Sequence, residues 1–327
     1  METTVKLRQK SVGISFAGGG AKSFAELATV EALKDKNIKI SAVTGTSMGA
    51  FLAAGLAYGL SVGELEQLII KTDAALDESD LFRKRSMWVN LLMVNQSTGL
   101  VDSQRLADTV KPLHELYQGV MLSDLPMPIA IPTVDIISGK ILVFTNRKEY
   151  FARQRDGIQW EFYEGDVSVL EACLASSAYP LMIQPVNVDD YQLIDGGVLM
   201  NSPVVLFDRS QTEFVISIGI KRKTYEEPAV KSNEVALRAM NFMMSQQIDH
   251  AIRTADVILR FELTHSTFSF GHAEEIIAEG RHFMSQYPLN LSQLYEKEVI
   301  EPKTHAKSGE FVRLTDRMKN WLRGVTD

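Results

Sequence analysis

The amino-terminal part of the chain alternates between two patterns of apolar and polar positions. Residues 11–17 (SVGISFA) form a short apolar run typical of a strand buried on both faces, and residues 39–45 (KISAVTG) predict a second strand. Apolar residues recur at helical spacing in residues 21–38, 47–60 and 61–82. Strands that alternate with helices in this way predict a parallel sheet with helices on its faces.

The remaining chain continues with strands and helices at wider spacing. In chain order they are a helix from Asp102 or Ser103, two strands in residues 126–146 joined by a Ser-Gly-Lys turn, a helix in residues 167–183 ended by Pro180, a strand, turn and helix start in residues 186–204, and a strand at residues 213–220. From about Ser232 onward we expect a mostly helical chain. No repeat, low-complexity tract or convincing linker divides it.

Composition and charge limit the kinds of molecule that the protein is expected to bind. The chain has 327 residues, of which 45% are hydrophobic and 23% charged, so it can bury a sizeable core. Its formal net charge of -7 argues against a broad binding surface for nucleic acid or for anionic membrane. Small uncharged or amphiphilic substrates fit this composition better.

Cysteine usage and the length of the apolar runs indicate a compartment. The single cysteine, Cys173, excludes an internal disulfide and lies in an apolar helical segment, where a free, buried thiol is expected. No apolar run reaches the roughly 18 residues of a membrane span, and the first residues lack the apolar core of a signal peptide. We therefore expect a soluble, cytoplasmic protein. A specialised secretion system needs no such signal, so that route stays open.

Three consecutive glycines, Gly18, Gly19 and Gly20, lie between the first predicted strand and helix. They do not form a P-loop, because Ala21 stands where a glycine must precede the lysine, and the third glycine of the dinucleotide fingerprint is replaced by Ser23. Glycines at a helix N-terminus instead present a row of backbone N–H groups to an anion. That anion is either a fixed phosphate or the oxyanion that forms transiently in acyl transfer.

A second glycine-flanked segment, GTSMG, follows the second predicted strand. Ser47 lies between Gly45 and Gly49, which matches the GxSxG nucleophile elbow between a strand and a helix. The glycines let the strand turn sharply into the helix, so that the serine side chain projects outward near the partly positive helix N-terminus. The same pentapeptide also occurs as a plain turn of small residues, and the motif alone leaves both interpretations open.

A nucleophilic serine needs a base, and the sequence offers an aspartate. Asp195 follows the predicted strand YQLI and precedes Gly196 and Gly197, at the strand end where α/β sheets place ligands. An aspartate kept from water beside a hydroxyl has a raised pKa and can accept its proton, although Asp-Gly-Gly is also an ordinary turn. The histidines are expected to be surface or helix-face residues rather than bases: His114, His250, His265, His272, His282 and His305.

Together these motifs resemble the patatin-like phospholipase family. The matching segments, in family order and within roughly residues 11–220, are GGGAK (18–22), GTSMG (45–49), ASSAYP (175–180) and DGGVLMNSPV (195–204). The resemblance implies a three-layer α/β/α fold with a mainly parallel central sheet. It also implies hydrolysis of lipid esters by a Ser–Asp dyad without histidine, cofactor or metal.

The resemblance also implies residue roles. Ser47 corresponds to the nucleophile and Asp195 to the base. The oxyanion loop corresponds to Gly18, Gly19 and Gly20, and the supporting motif residues are Lys22, Gly45, Gly49, Gly196 and Gly197. Asn201 and Pro203 are expected to shape the turn after the base. Lys22 and Glu26 depart from the arginine and the histidine common in the family; Lys22 keeps the charge but loses the planar fork.

On this basis we expect a catalytic domain over residues 8–290 and a helical or polar tail over residues 291–327, packed on the same domain. The substrate would be a phospholipid or another lipid ester, met during transient contact with a membrane or micelle surface, with no nucleic acid involved. A thioesterase or small-ester hydrolase, and a non-catalytic lipid-binding regulator, are the alternatives. The oligomeric state is left open.

Two methionine-rich segments are candidates for lipid contact. Residues 86–94 (SMWVNLLMV) and 241–247 (NFMMSQQ) carry flexible, polarizable side chains that adapt to acyl chains. The alternative, which we favour, is that they are helix faces packed in the core.

Overall fold

The computed structural model describes residues 4–79, 81–82, 99, 101–155, 157–221, 224–225, 227–251, 254–287 and 289–300. The chain falls into two units, one of residues Lys10–Gln293 and one that combines Met1–Gln9 with Leu294–Asp327. In the second unit, strand β1 (Thr4–Gln9) pairs antiparallel with strand β12 (Tyr295–Ile300). Residues after Ile300 lie outside the described part, so the helical or polar tail stays a prediction.

The larger unit is built on a ten-stranded sheet. Its strands are β2 (Val12–Phe16), β3 (Ile40–Gly45), β4 (Ile129–Asp135), β5 (Ile141–Thr145), β6 (Gln154–Arg155), β7 (Ile158–Phe162), β8 (Val186–Val188), β9 (Tyr191–Asp195), β10 (Phe214–Ile220) and β11 (Val257–Phe261). The order is β11-β10-β2-β3-β4-β5-β7-β6, with β9 paired to both β4 and β8. The strands from β11 to β4 are parallel, whereas β4–β5, β4–β9, β8–β9 and β6–β7 are antiparallel pairs.

Helices flank this sheet and confirm the predicted α/β/α class with a mainly parallel centre. They are α1 (Leu27–Asp35), α2 (Met48–Tyr58), α3 (Val62–Glu78), α4 (Ser103–Thr109), α5 (Lys111–Tyr117), α6 (Val169–Ser176), α7 (Gly197–Met200), α8 (Ser232–Ala251) and α9 (Ala273–Gln286). Among the described residues, no helix combines the length and the apolar character needed to cross a bilayer. Cys173 is a free, buried thiol in α6, as predicted.

The burial of each strand explains how clearly its sequence pattern predicts it. Every residue of β2 and β4 is buried, because helices cover both faces of the central strands. At the edge of the sheet, β11 alternates buried and exposed residues and is only five residues long. The expectation of a mostly helical chain after Ser232 was therefore wrong for β11 and β12, whose short patterns carry little signal.

Helix boundaries also depart from the sequence pattern. The first helix begins as a 3-10 turn over Gly20–Glu26 before α1. Asp102 caps its helix as expected, but that helix ends near Val110, where α5 follows. The helix expected to end at Pro180 ends at Ser176. The local rules for helix starts thus held better than those for helix ends.

Two strands meet end to end along one edge of β4. Thr44 of β3 lies opposite Ala130, and Asp195 of β9 lies opposite Thr133. β5 occupies the other edge, with Leu142 opposite the same Thr133. β3 and the antiparallel β9 therefore share an edge and run toward each other, so the turns after their carboxyl ends converge.

Candidate active site

The turn after β3 forces an unusual backbone conformation on Ser47, with φ 53° and ψ -129°. The strand ends at Gly45 and α2 begins at Met48, so the serine is the point where strand becomes helix. A Cβ on Gly45 would lie 2.3 Å from the Gly49 carbonyl oxygen, and a Cβ on Gly49 would lie 2.6 Å from that of Ala17. Only glycine therefore fits at positions 45 and 49, two residues before and two residues after the serine.

Hydrogen bonds from other elements hold this elbow. The Ser47 N–H donates to Ser176 Oγ at 3.0 Å, and that hydroxyl donates to the Pro132 carbonyl in β4 at 2.8 Å. Thr46 Oγ1 donates to the Met200 carbonyl at 2.9 Å. The elbow is thus tied to α6, to the central sheet and to the segment after Asp195.

Asp195 is fully buried at the end of β9. Its Oδ1 accepts the Gly197 amide at 2.7 Å. A Cβ on Gly196 would come within 2.1 Å of the Pro132 carbonyl oxygen, so the aspartate must be followed by glycine. Burial raises the pKa of the Asp195 carboxyl to about 7, against the lowering effects of the Ser47 hydroxyl and the Gly197 amide.

Ser47 and Asp195 line the same cavity. The serine hydroxyl is near enough to lower the pKa of the carboxyl. Even so, Asp195 Oδ2 makes no hydrogen bond of standard geometry to any described residue. The two side chains are therefore close neighbours whose contact falls outside standard hydrogen-bond geometry in this conformation, and such catalytic contacts often tighten only when substrate binds.

The Gly-rich loop lies beside the serine in the same cavity. The Gly18 N–H donates to the Asn201 carbonyl at 3.2 Å, so one of the three amides predicted to face an anion is already engaged. Those of Gly19 and Gly20 have no acceptor among the described residues. Gly20 adopts a φ of 59°, which favours glycine at that position.

Two charged side chains lie close to this loop in the sequence and in the fold. Lys22 is only 6% exposed and lines the cavity. Glu26 is fully buried, and burial raises the pKa of its carboxyl well above the ordinary value. Burial therefore disfavours the charged form of the Glu26 carboxyl next to the Gly-rich loop.

The cavity has a volume of ≈ 1170 Å³ counted with its open mouth. Most of its wall is apolar, contributed by Met48, Phe51, Leu76, Phe82, Leu106, Val110, Leu174, Ile183, Ile220, Phe242, Met244, Phe268 and Phe270. A large apolar wall with a few convergent polar groups is typical of a site for an amphiphilic ligand.

The structure describes only one of the two methionine-rich segments that were candidates for contact with lipid or for packing in the core. Residues 86–94 lie outside the described residues. In α8, Phe242 and Met244 line the cavity, whereas the neighbouring Met243 is 64% exposed. Part of residues 241–247 therefore faces the cavity, and neither alternative describes the whole segment.

The roles of several residues around the site could not be assigned from the sequence. Ser176 belongs to the ASSAYP motif, but its role in holding the elbow depends on contacts across the fold. Thr267, Phe268 and Phe270 line the cavity from the segment between β11 and α9, where the family resemblance was too loose to assign roles.

Comparison with known sequences decides the family. A family model described as patatin-like phospholipase matches residues 14–208, more than half of the chain. The chain belongs to this family. The resemblance read from the motifs is thereby confirmed.

Two curated relatives are both named as cGAMP-activated phospholipases. A cGAMP-activated phospholipase of Vibrio cholerae serotype O1 is 30% identical over 207 residues, which cover 58% of this chain and 54% of that protein. A cGAMP-activated phospholipase of Escherichia coli strain TW11681 is 31% identical over 205 residues, covering 58% and 52%. The chain thus spans about half the length of the curated relatives it matches.

Among solved structures, VipD from Legionella pneumophila matches with a TM-score of 0.46 and 14% identity, covering 89% of this chain and 68% of that chain. The ExoU–SpcU complex of Pseudomonas aeruginosa matches with a TM-score of 0.42 and 15% identity, covering 90% and 55%. The family assignment rests on the sequence match.

Proposed function

We propose that the chain is a serine lipid acyl hydrolase that cleaves carboxylic esters of phospholipids or related lipids. Ser47 is the nucleophile and Asp195 the general base. The observation that carries this proposal is the convergence of a strained serine elbow and a buried carboxylate, with a free Oδ2, in one apolar cavity.

In the first half of the reaction, Ser47 Oγ attacks the ester carbonyl carbon and its proton passes to Asp195 Oδ2. The carbonyl oxygen becomes an oxyanion, which in this proposal the N–H groups of Gly19 and Gly20, both in the cavity wall, bind. The bond between the carbonyl carbon and the leaving oxygen then breaks. The leaving alcohol or lysolipid takes the proton from Asp195, and an acyl-serine remains.

In the second half, water attacks the acyl-serine. Its proton passes to Asp195, the tetrahedral intermediate collapses, and Ser47 leaves as the protonated hydroxyl with release of the fatty acid. The raised pKa of Asp195, about 7, supports this role, because the carboxylate is then a much stronger base than an exposed aspartate and is still ionised at slightly alkaline pH.

The apolar wall supports a lipid substrate. Phe51, Leu174, Phe242 and Met244 surround the polar groups and offer an acyl chain a surface removed from water. Transient contact with a membrane or micelle surface would deliver the lipid. The net charge of -7 fits binding through the acyl chain better than attraction to anionic head groups.

The test compares fatty acid release from phosphatidylcholine vesicles with hydrolysis of a short nitrophenyl ester. We expect wild type to cleave both and Ser47→Ala and Asp195→Asn to cleave neither. Asp190→Asn, which changes an exposed aspartate in the same β8–β9 hairpin, is the matched control. Cleavage of the short ester alone would favour the small-ester hydrolase, and cleavage of neither by wild type would favour a lipid-binding regulator.

A covalent probe tests the nucleophile separately. A fluorophosphonate should label wild type at Ser47 and leave Ser47→Ala unlabelled. Labelling of the variant at full yield, or of another serine in wild type, would assign the nucleophile elsewhere.

A further inference from the structure

A cluster of histidines and carboxylates lies at the two ends of the loop between β11 and α9. His272 is the residue before α9, and Glu275 lies in the first turn of that helix. Glu275 Oε2 is 3.1 Å from His265 Nε2 and 3.2 Å from His272 Nδ1. The three potential ligand atoms all lie within 4.8 Å of one another.

We propose that His265, His272 and Glu275 bind a zinc ion, with water completing the coordination. In tetrahedral zinc sites the bonds are roughly 2.0–2.1 Å long, which puts neighbouring ligand atoms about 3.3 Å apart. The separations of 3.1 and 3.2 Å are close to that value. The third separation closes by rotation of the His272 side chain, which is 47% exposed and has room to move.

A fourth side chain orients the ligand that is most buried. Glu279 Oε1 lies 3.2 Å from His265 Nδ1, and the Thr264 N–H and hydroxyl hold the same carboxylate. Metal-binding histidines commonly donate their second ring N–H to a carboxylate, which selects the tautomer. With its proton on Nδ1, His265 directs the lone pair of Nε2 toward Glu275.

Charge and ligand type select the ion. The ligand Glu275 and the orienting Glu279 are two carboxylates in a cluster whose other ligands are the two imidazoles, so a dication suits its charge. Imidazole nitrogen suits zinc and its transition-metal neighbours, whereas magnesium and calcium prefer oxygen ligands alone. The two imidazole rings are close neighbours, with centroids 5.2 Å apart and planes tilted by 43°.

The cluster closes a loop that forms part of the cavity wall. Between the two histidines, Phe268 and Phe270 line the cavity. The Thr267 carbonyl accepts the Ala21 amide at 2.9 Å, and a Cβ on Gly20 would lie only 2.2 Å from the Thr267 carbonyl oxygen. A metal ion that joins the ends of this loop therefore holds the wall in place against the Gly-rich loop.

The test measures metal binding directly. The full chain is stripped with a chelator and titrated with zinc chloride in competition with a chromophoric chelator, and separately with cobalt chloride followed by visible absorption. We expect one equivalent of zinc bound at micromolar concentration, intense tetrahedral cobalt bands, and a melting temperature that rises with zinc but not with magnesium.

Variants separate this site from adventitious binding. His272→Ala should abolish the cobalt bands, and Glu279→Gln should weaken zinc binding about 10–100-fold while keeping one equivalent. His282→Ala changes an exposed histidine on the same helix, whose ring Nε2 lies 2.9 Å from Gln286 Nε2, and this variant should bind zinc as wild type does. Melting of each variant without metal shows whether it is folded. Equal zinc affinity in folded His272→Ala and wild type, or no stoichiometric binding by wild type, would overturn the proposal.

Discussion

The two turns that meet in the cavity are constrained in opposite ways. Around Ser47 the constraint acts on the backbone: two glycines leave no room for side chains, and the serine takes a φ of 53°. The turn after Asp195 is helical at Gly196, with φ -58°, and its unusual property is the burial of the carboxylate. Both turns need their glycines, but only the Asp195 turn also depends on keeping a carboxylate from water, so pH should affect the two turns differently.

The largest expected effect is the loss of activity when the side chain of Ser47 or Asp195 is replaced. Ser47→Ala and Asp195→Asn should each lower kcat/KM by at least about 1,000-fold, because the proton acceptor is useful only to the nucleophile. The double variant should be no worse than Ser47→Ala alone, as ester hydrolysis kinetics can measure. A double variant that loses the product of both factors would show that the residues act independently.

Next in size are substitutions of the turn glycines, which should destabilise both turns alike. Gly49→Ala and Gly196→Ala each push a Cβ into a backbone carbonyl, at 2.6 and 2.1 Å, and backbone atoms have little room to yield. We expect a loss of about 3 kcal/mol in the free energy of unfolding for each. Gly63→Ala in α3 is the matched control, since nothing lies within 4 Å of its Cβ position. Urea denaturation gives the comparison, and wild-type stability in Gly196→Ala would contradict the packing described.

Only the Asp195 turn should show a stability that depends on burial of charge. The folded pKa of about 7 exceeds the unfolded value of about 3.9, so the favourable contribution is complete below about pH 4 and is lost as the pH rises through 7. Asp195→Asn lacks this loss, so its free energy of unfolding relative to wild type should rise by about 4 kcal/mol between pH 4 and pH 8. Thermal denaturation across this range tests it, with Ser47→Ala expected to run parallel to wild type.

The same titration should control activity. If Asp195 must be ionised to accept the proton, kcat/KM should fall about tenfold for each pH unit below 7. The rate of nitrophenyl ester hydrolysis between pH 5 and pH 8 measures this. A profile that stays flat down to pH 5 would be incompatible with a base of that pKa.

The smallest effect we expect is a difference in stability between alanine variants of two adjacent serines, Ser176 and Ser177. Ser176 Oγ accepts the Ser47 N–H and donates to Pro132, whereas Ser177 Oγ has no partner among the described residues. Ser176→Ala should therefore cost about 1–3 kcal/mol of stability, and Ser177→Ala close to none. Equal unfolding midpoints in the two variants would mean that the elbow does not depend on this bond.

The prediction of the elbow from sequence succeeded because steric rules act within a few residues. The strand, serine and helix of residues 39–60 are where the pattern put them. Ser61 and Glu64 form a capping box, another structure that depends only on residues within one helical turn. Strand β11 was missed because its five residues alternate at the edge of the sheet, and a short alternating run inside a helix-rich segment has little weight.

The sequence by itself determined the backbone of the site: where the chain must turn, which positions must be glycine, and which family the motifs belong to. Tertiary structure decided the chemistry of the site. β3 and β9 meet only because they share an edge of β4. The Gly18 N–H is hydrogen-bonded to the Asn201 carbonyl and is therefore not available to an anion. Asp195 reaches a pKa of about 7 because surrounding elements exclude water. A turn motif is a pattern of residues close together in sequence, whereas desolvation, strand register and the close contacts of Gly49 with Ala17 and of Gly196 with Pro132 depend on parts of the chain that lie far apart in sequence.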